Sequence, residues 1–313
     1  MTVICVAIPT FRRPAALRAV VTAVLEQLPD LRAIDAVGAI LVVDNDPARS
    51  GEDTAAELGV RYVAEPQPGI AAVRNRALDE VAGDADAVVF IDDDEVPEAG
   101  WIVRLVGRYL ETSADAIAGR VITVFPPDCD PWVRASGAFV RPERRDGIAM
   151  AEAATNNLLL DLGTVANLRL RFDERFGLTG GSDSLFTRQL TRRGGSIVWC
   201  QDAVVTEREE AVRFTRAWVL MRTFRFGNTW ARVSIALAES PPARIRARAV
   251  SAAAGFVRVG QGFLLWIAGA ATGSLARRAH GMRTVYRGAG NVAGSLGYAH
   301  DEYGRRRRLN PAP

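Results

Sequence analysis

The first hundred residues alternate between short apolar segments and amphipathic ones, and this alternation constrains the fold more than any other feature of the sequence. The longer apolar segments are almost continuously apolar, which is typical of strands covered on both faces of a sheet. Strands that alternate with helices form βαβ units, so we predict an α/β fold with a doubly wound, mostly parallel sheet. The predicted strands are 3–8, 39–43, 61–64 and 87–91, and the predicted helices are about 14–27, 51–58 and 70–82.

The composition indicates a folded chain in a reducing compartment. Of its 313 residues, 49% are hydrophobic and 24% are charged, which is enough for a full core in one large domain or two smaller ones. The 3 cysteines are widely spaced and form no CxxC pair, so neither a disulfide framework nor a zinc knuckle is indicated. The N-terminus lacks the basic start and long apolar run of a secretory signal. We therefore expect a cytoplasmic protein.

Charge divides the chain into an acidic part and a basic part. Residues 1–215 hold 23 Arg and 33 Asp or Glu, a net charge of −10, whereas residues 216–313 hold 16 Arg and three acids, a net charge of +13. The basic part favours phosphate or anionic lipid as a partner. The acidic part argues against nucleic acid as a partner along most of the chain.

Histidine is absent from residues 1–279, since His280 and His300 are the only two in the chain. This excludes a Ser-His-Asp triad, a His-ligated zinc site and an H-E-x-x-H motif from that part. Any chemistry there must use oxygen ligands and carboxylate bases.

Three of the predicted strands end in polar segments: PTFRRP follows the first, DNDP the second and DDDE the fourth. Ligands of doubly wound sheets bind beyond the carboxyl ends of the strands, so these segments indicate a site. In an extended chain, Asp92 and Asp94 would project from one face, roughly 6 to 7 Å apart, with Asp93 opposite. Two such carboxylates suit Mg²⁺ or Mn²⁺ holding a phosphate. The alternative is a solvated acidic turn that caps a helix near Pro97.

Five segments carry a resemblance to a known family: VAIPTFRRP, VVDND, GIAAVRNRAL, FIDDDEVP and GGSDSLFTRQL. In this order and at these spacings, which cover about residues 3–210, they resemble the inverting glycosyltransferases of family 2, which have the GT-A fold. The resemblance implies a nucleoside-diphosphate sugar as donor, most readily a UDP-sugar, and a divalent cation, Mn²⁺ or Mg²⁺. It also implies an acceptor hydroxyl in glycan or polysaccharide assembly. Between a glycan and a lipid-linked acceptor, the basic end of the chain favours the lipid-linked one, because it would hold the enzyme at an anionic membrane.

The resemblance assigns roles to individual residues. It places Asp92 and Asp94 on the metal. From the residues alone, Asp44 could instead cap a turn, Gly69 is a turn residue, and the helix after it could present a solvated face. Arg12 and Arg13 are expected at the surface. The residues expected to bind the nucleotide sugar are Pro9, Thr10, Asp44, Gly69, Arg74, Asn75, Asp92 and Asp93.

The second half of the site is expected to deprotonate the acceptor. After a predicted strand at 158–160, Gly180 and Gly181 precede Asp183, which opens a predicted amphipathic helix. The paired glycines would let backbone or ligand approach closely. The family has G-G-E-D here, with the Asp as catalytic base, and this chain has Ser182 in place of the Glu. We predict Asp183 as the base, with helix capping as the alternative.

A third metal ligand in many relatives is a His after the strand that follows this helix. The corresponding segment of this chain has no His and offers Glu207. A carboxylate is an equally suitable ligand for Mn²⁺ or Mg²⁺. The alternative is that Glu207 is one of three surface acids, together with Glu209 and Glu210.

These expectations give a domain organisation. A catalytic domain would span 1–213, with a nucleotide-binding half at 1–100 and an acceptor half at 101–213, followed by a basic, mainly helical region at 214–313. In that region the uncharged segment 259–275 is bracketed by arginines. We expect helices lying peripherally on the cytoplasmic face of an anionic membrane. Soluble packing, an oligomer contact and a bilayer span are the alternatives.

Two other classes of function compete with glycosyl transfer. A nucleotidyltransferase would also need a parallel sheet, a nucleotide and paired carboxylates on a metal, but no Gly-rich basic loop follows the first predicted strand to hold a triphosphate. A noncatalytic membrane-binding or nucleic-acid-binding protein would use the arginine-rich end.

Overall fold

A computed structural model describes residues 1–208 and 211–300. The chain forms two compact units. The first consists of Met1–Thr123, Arg141–Gly177 and Ser182–Arg208. The second consists of Val124–Val140, Leu178–Gly181 and the described chain after residue 210. Two short segments that precede residue 213 therefore belong with the C-terminal region. The expected division at residue 213 assigned both of them to the catalytic domain.

The first unit is built on an eight-stranded sheet with the strand order β3-β2-β1-β4-β7-β6-β8-β5. The four strands predicted from the first hundred residues are present and pair in parallel, which confirms the α/β prediction for this half. The strands are β1 (Thr2–Thr10), β2 (Ala36–Asp44), β3 (Arg61–Ala64), β4 (Ala87–Phe90), β5 (Glu95–Pro97), β6 (Ala116–Thr123), β7 (Leu158–Asp161) and β8 (Ile197–Glu207).

The other half of the sheet is mixed. Strand β7 runs antiparallel to both of its neighbours, β4 and β6. Strands β6 and β8 are parallel, whereas the short β5 is antiparallel to β8. The strand predicted at 158–160 is confirmed as β7, but its direction was not predictable from local sequence because a short apolar run pairs equally well either way.

The helices of the first unit cover both faces of the sheet. Helix α1 begins with Pro14 at its first position, where a missing N–H is harmless. It buries Leu17, Val20, Val21 and Val24, a spacing that places all four on one helical face. Burial of each such side chain contributes about 1.5 to 3 kcal/mol. The α-helices of the described residues are α1 (Pro14–Leu25), α2 (Glu52–Glu57), α3 (Ile70–Val81), α4 (Trp101–Thr112), α5 (Pro131–Ser136), α6 (Leu162–Asn167), α7 (Ser182–Arg192), α8 (Arg216–Ala236), α9 (Pro241–Ala271) and α10 (Leu275–Ser295).

The second unit is mainly helical, as predicted for the basic region. Helix α10 packs against both α8 and α9. A smaller core surrounds the short helix α5 and contains Trp132, Phe139, Phe214 and Trp218. The rings of Phe139 and Trp218 are stacked, with centroids 5.7 Å apart.

Helices α9 and α10 meet along a glycine seam, which comprises Gly255 and Gly262 of α9 and Gly281 and Gly288 of α10. A Cβ atom at Gly262 would lie 2.6 Å from the carbonyl oxygen of Gly281, and a Cβ at Gly281 would lie 2.6 Å from that of Gly262. Gly255 and Gly288 meet in the same way at 2.8 and 2.5 Å. The spacing of seven residues keeps each pair of glycines on one helical face. The two backbones approach this closely because neither carries a side chain.

The uncharged segment 259–275 is not a separate helix. It forms the last part of α9, the turn and the first residue of α10. Among the described residues, α9 is the one helix whose length and composition would allow a bilayer crossing. Its most apolar 18-residue stretch has a mean hydropathy of 1.4, and 17% of that stretch is buried. The arginine-rich chain end at 304–313 and the acids Glu209 and Glu210 lie outside the described residues.

Candidate active site

The acidic turn that follows β4 is held by polar side chains from β1 and the residues after it. The hydroxyl of Thr10 donates to Oδ2 of Asp93 over 2.8 Å. Nη1 of Arg13 donates to Oδ1 of Asp93 over 3.2 Å and to Oδ2 of Asp94 over 2.9 Å. The expectation that Arg13 lies at the surface, away from the site, is therefore wrong.

The side chains of this turn do not alternate as in an extended strand. Residues 91–94 lie between β4 and β5, and Asp93 and Asp94 form a turn. Asp93 and Asp94 consequently converge on one guanidinium, whereas Asp92 contacts a different one. The predicted pairing of Asp92 with Asp94 opposite Asp93 is corrected, because a period of two holds only for extended backbone.

The ion pairs of the turn shift the pKa values on both sides. Burial alone would lower the pKa of Arg13, but Asp93 and Asp94 outweigh it and raise that pKa. Burial raises the pKa of Asp93, and Arg13 and the Thr10 hydroxyl oppose this only in part. The turn thus keeps negative charge in a partly desolvated position, close to a fixed positive charge.

Arg74 approaches the same turn from α3. Its side chain is buried, and Nη2 lies 3.7 Å from Oδ1 of Asp92. Its guanidinium lies over the ring of Phe172, 5.8 Å from the centroid, and its Nε has no hydrogen-bond partner within the described chain. The structure excludes a solvated helix face here, since the neighbouring Asn75 is buried as well.

Asp92 has a raised pKa, and Arg74 is its main counter-charge. Burial raises its pKa to about 7, and Asp94, Asp93 and Glu207 add to the rise while Arg74 opposes it. Its side chain nevertheless retains 35% of its exposed surface. Asp92 therefore presents oxygen atoms to the open side of the site at a position where a positively charged ligand would be stabilised.

Glu95 is the buried carboxylate at the end of the acidic turn, and the sequence analysis gave it no separate role. Its side chain is 1% exposed and accepts from the Asn156 side chain over 2.7 Å and from the Asp92 backbone N–H over 3.1 Å. Burial raises its pKa well above the usual value, and the charge of Asp92 adds to this. The acidic run itself was the available signal, since a buried carboxylate next to a strand needs a donor.

Strand pairing brings Glu207 close to the acidic turn, although more than 100 residues separate them in the sequence. Glu207 is the cross-strand partner of Glu95 in the antiparallel β5–β8 pair. Its Oε2 accepts from the hydroxyl of Thr123 over 3.0 Å and from Nη2 of Arg141 over 3.1 Å. Glu207 is 7% exposed, so it is not a surface acid. Arg141 and Thr123 were not predicted, because neither has a local signal that connects it to residue 207.

The donor chemistry of these carboxylates fits a hard divalent cation. Asp92, Asp94 and Glu207 offer oxygen ligands only, which are the ligands that Mg²⁺ and Mn²⁺ prefer. In residues 1–208 and 211–300, however, no three His, Cys, Asp or Glu side chains are grouped closely enough to hold a metal ion. Each carboxylate instead contacts an arginine: Asp92 contacts Arg74, Asp94 contacts Arg13, and Glu207 contacts Arg141.

Asp44 lies beside Thr10 at the ends of the two central parallel strands. Pro9 pairs with Val43 and Thr10 with Asp44 in the β1–β2 register. The fully buried Asp44 carboxylate accepts from the backbone N–H groups of Asp46 and Gly51, over 2.8 and 2.7 Å, and from the hydroxyl of Tyr62 over 3.2 Å. Asp44 thus anchors the loop that follows β2, as in the turn-capping alternative.

The loop before α3 depends on Gly69 and on Asn45, a residue that the sequence did not single out. Gly69 has a φ of 120°, and a Cβ there would meet the backbone of Gly177 at 3.1 Å. Its N–H donates to Oδ1 of Asn45 over 2.9 Å. The amide nitrogen of Asn45 donates to the carbonyl groups of Glu65 and Gln67. This confirms Gly69 as a turn residue.

Asn75 holds a loop. Its amide donates to the carbonyl of Phe172 and accepts from the N–H of the same residue, both over 2.9 Å. Phe172 also stacks on Phe186 of α7 at 4.2 Å and contacts Phe90 of β4 at 6.0 Å. Phe172 therefore links the helix that carries Arg74 to the helix that carries Asp183.

Asp183 lies in the first turn of α7, where the sequence places it. Gly180 and Gly181 before it have φ values of 74° and 96°, which only glycine adopts readily. The Asp183 carboxylate is partly exposed, and its Oδ1 accepts from the N–H of Ser184 over 2.8 Å. That contact is local, so it leaves the carboxylate accessible from solvent.

Residues 5–166 match the family model described as Glycosyl transferase family 2. The chain belongs to this family. The match contains the acidic turn, Asp44 and α3, while Asp183 and Glu207 lie beyond it.

Individual relatives agree with the family. The chain is 31% identical over 207 residues to the succinoglycan biosynthesis protein ExoM of Rhizobium meliloti (strain 1021), covering 62% of this chain and 64% of ExoM. It is 34% identical over 149 residues to the uncharacterized glycosyltransferase Mb0553 of Mycobacterium bovis, covering 45% of this chain and 66% of that protein. The chain therefore matches a little under two thirds of the length of these relatives.

A solved structure shares the fold. S. aureus TarS 1–349 in complex with UDP-GlcNAc superposes with a TM-score of 0.51 over 89% of this chain and 90% of that chain. The sequences are 11% identical, so this likeness shows the fold alone. The predicted GT-A fold with a helical C-terminal region is confirmed.

Proposed function

We propose that this protein is a metal-dependent, inverting glycosyltransferase that moves a sugar from a nucleoside-diphosphate sugar to an acceptor hydroxyl. The observation that carries the proposal is the convergence of three strand ends in the first unit. Thr10, Asp44 and the acidic turn lie at one edge of the sheet, which is where doubly wound sheets bind their ligands.

A UDP-sugar is the proposed donor. The structural neighbour TarS is described in complex with UDP-GlcNAc, which supports this class of ligand. The pocket for it would be lined by Pro9, Thr10 and Asp44 on the nucleoside side, with Gly69, Arg74, Asn75, Asp92 and Asp93 toward the diphosphate and sugar. In this arrangement Asp44 and Asn75 act by holding loops in place, whereas Arg74 offers a buried guanidinium with an unused Nε.

Asp92, Asp94 and Glu207 would hold the divalent cation, Mn²⁺ or Mg²⁺. When bound, such a cation supplies positive charge for the diphosphate as it leaves. Arg74 and Arg13 would orient Asp92 and Asp94, because each guanidinium already contacts one of these carboxylates. Thr123 and Arg141 would do the same for Glu207.

Asp183 would remove the proton from the acceptor hydroxyl as the hydroxyl oxygen attacks the anomeric carbon of the donor sugar. The bond between that carbon and the diphosphate oxygen breaks in the same step, so a single displacement inverts the configuration. The partly exposed carboxylate in the first turn of α7, directly after two glycines with positive φ, suits this role.

A glycan or lipid-linked acceptor in polysaccharide assembly is the proposed second substrate. ExoM is described as a succinoglycan biosynthesis protein, which supports a role of this kind. The basic second unit would keep the enzyme on the cytoplasmic face of an anionic membrane, close to such an acceptor.

The deciding experiment is incubation of the full chain with a panel of nucleotide sugars and Mn²⁺. We expect release of a nucleoside diphosphate from one donor, raised by an acceptor and stopped by chelation. Release of pyrophosphate from a nucleoside triphosphate and a sugar phosphate would instead show a nucleotidyltransferase. The absence of turnover with every donor and acceptor would favour a noncatalytic membrane-binding protein.

A further inference from the structure

The outward side of α9 carries large apolar side chains that the rest of the described chain leaves uncovered. The exposed fraction is 66% for Phe256, 56% for Phe263, 68% for Leu264 and 45% for Ile267. At 100° per residue, these four side chains lie between about 80° and 180° around the helix from Gly255 and Gly262, so they face away from the glycine seam. Helix α9 therefore buries its smallest residues and exposes its largest apolar ones.

No charged residue interrupts this outward face between Ala249 and Ala271. Arg258 is the one charged residue in that stretch, and it lies on the seam side of the helix. Its guanidinium lies over the ring of Trp230 of α8, 5.5 Å from the centroid. The uncharged face is about 33 Å long at 1.5 Å per residue.

We propose that α9 lies along the surface of a membrane that contains anionic lipid, with Phe256, Phe263, Leu264 and Ile267 immersed at the boundary between head groups and acyl chains. The inference rests on the membrane contact of the proposed function and identifies the surface that makes it. A helix with one apolar face and basic residues around it binds membranes in this orientation.

Positive charge at both ends of the face is complementary to anionic head groups. Arg244, Arg246 and Arg248 are exposed in the first turns of α9, and Arg277 is exposed just after the turn at its other end. Residues 216–300 contain 12 Arg and one acid, Glu239. Each basic residue near an anionic surface strengthens binding, and this contribution is screened by salt.

The same arginines argue against two other occupants of the face. Insertion of the α9–α10 hairpin end first would take Arg277 and Arg278 into hydrocarbon, which is costly for charged side chains. A second copy of this chain packed on α9 would bring the arginines of the two copies together in either direction, because both ends of the face are basic. A membrane lying parallel to α9 avoids both problems.

The test is sedimentation of the full chain with vesicles of phosphatidylcholine, with and without phosphatidylglycerol. We expect binding to anionic vesicles that weakens as salt rises to about 1 M, where charges are screened beyond about 3 Å, but does not vanish, since apolar immersion is not screened. Leu264→Glu should lower the affinity about tenfold or more at every salt concentration. The matched control is Val140→Glu, which changes the charge equally at a side chain that is 66% exposed in the second unit and should bind like the wild type.

Circular dichroism and gel filtration would check that Leu264→Glu folds, which we expect because the position is exposed. Equal binding of Leu264→Glu and the wild type would overturn the proposal. Binding that disappears entirely at high salt would also overturn it, while leaving the electrostatic membrane contact of the proposed function in place. Indifference to vesicles, combined with an oligomer that Leu264→Glu dissociates, would show that α9 is a contact between copies. Nucleoside diphosphate release in solution reports separately on glycosyl transfer.

Discussion

The two units use arginine in opposite ways. In the first unit, Arg13, Arg74 and Arg141 each contact a carboxylate of the acidic edge. In the second unit, Arg222 lies over the ring of Trp218 at 5.2 Å, and Arg225 and Arg258 also lie over aromatic rings. In the first unit the arginines offset part of the negative charge at the site where we propose an anionic ligand. The aromatic rings of the second unit carry no formal charge that would offset a guanidinium.

Glycine differs between the units as well. Gly69 in the first unit has a left-handed φ, so its role is to let the chain turn sharply before α3. Gly262 in the second unit is helical, and its role is to offer no Cβ to a neighbouring backbone. Substitutions in the first unit should therefore affect the site or the loops that hold it, and substitutions in the glycine seam of the second unit should affect helix packing. The following predictions test this contrast.

The largest expected effect is on turnover. Asp183→Asn should lower the rate of sugar transfer by about 10² to 10⁴, because the amide cannot take the proton of the acceptor hydroxyl. Steady-state kinetics should show donor affinity nearly unchanged. Asp202→Asn, at an exposed position of β8, is the matched control and should leave the rate unchanged. Loss of donor binding together with activity would make Asp183 a structural residue.

Asp94→Ala should remove metal-dependent nucleotide binding while the fold remains intact. Asp93 would still hold Thr10 and Arg13, so the turn should survive. We expect the affinity for nucleoside diphosphate with Mn²⁺ to fall at least about tenfold, the lower end for groups that support a metal site. Calorimetry with and without a chelator measures this. An unchanged, Mn²⁺-dependent affinity would remove Asp94 from the metal site.

Asn75→Ala should act on stability more than on chemistry. It leaves the N–H and carbonyl groups of Phe172 without their side-chain partner, which should lower the free energy of unfolding by about 2 kcal/mol or more. Urea denaturation measures the change. The control is Arg76→Ala at a half-buried position of α3, which removes an ion pair with Glu80 and should change stability by about 0.5 kcal/mol or less. Unchanged stability with a raised KM for the donor would instead make Asn75 a direct ligand.

The smallest effects separate two glycines that are two residues apart on α9. Gly262→Ala should destabilise the second unit by about 1 to 3 kcal/mol, because its Cβ would meet the backbone of α10. Gly260→Ala meets nothing within 4 Å and should stabilise by about 0.5 to 1 kcal/mol through helix propensity. Thermal unfolding of both variants measures whether each substitution lowers or raises the stability. The same sign for both would show that α9 and α10 do not pack through the glycine seam.

The sequence by itself determined the first four strands, the three helices between them and the polar segments at the strand ends. Each of these depends on local periodicity and on local turn residues such as Gly69, which act without reference to the rest of the chain. The roles of Asp92, Asp94 and Asp183 also came from motifs within single segments and remain predictions.

Tertiary structure alone decided the partners of these residues. Glu207 faces Glu95 because β5 and β8 pair in antiparallel register, and a register between distant strands is set by packing rather than by local propensity. Arg13 turns toward Asp93 and Asp94 because the chain after β4 forms a turn, which an unbroken acidic run did not reveal. The apolar outer face of α9 became visible only when the glycine seam showed which side of that helix is buried.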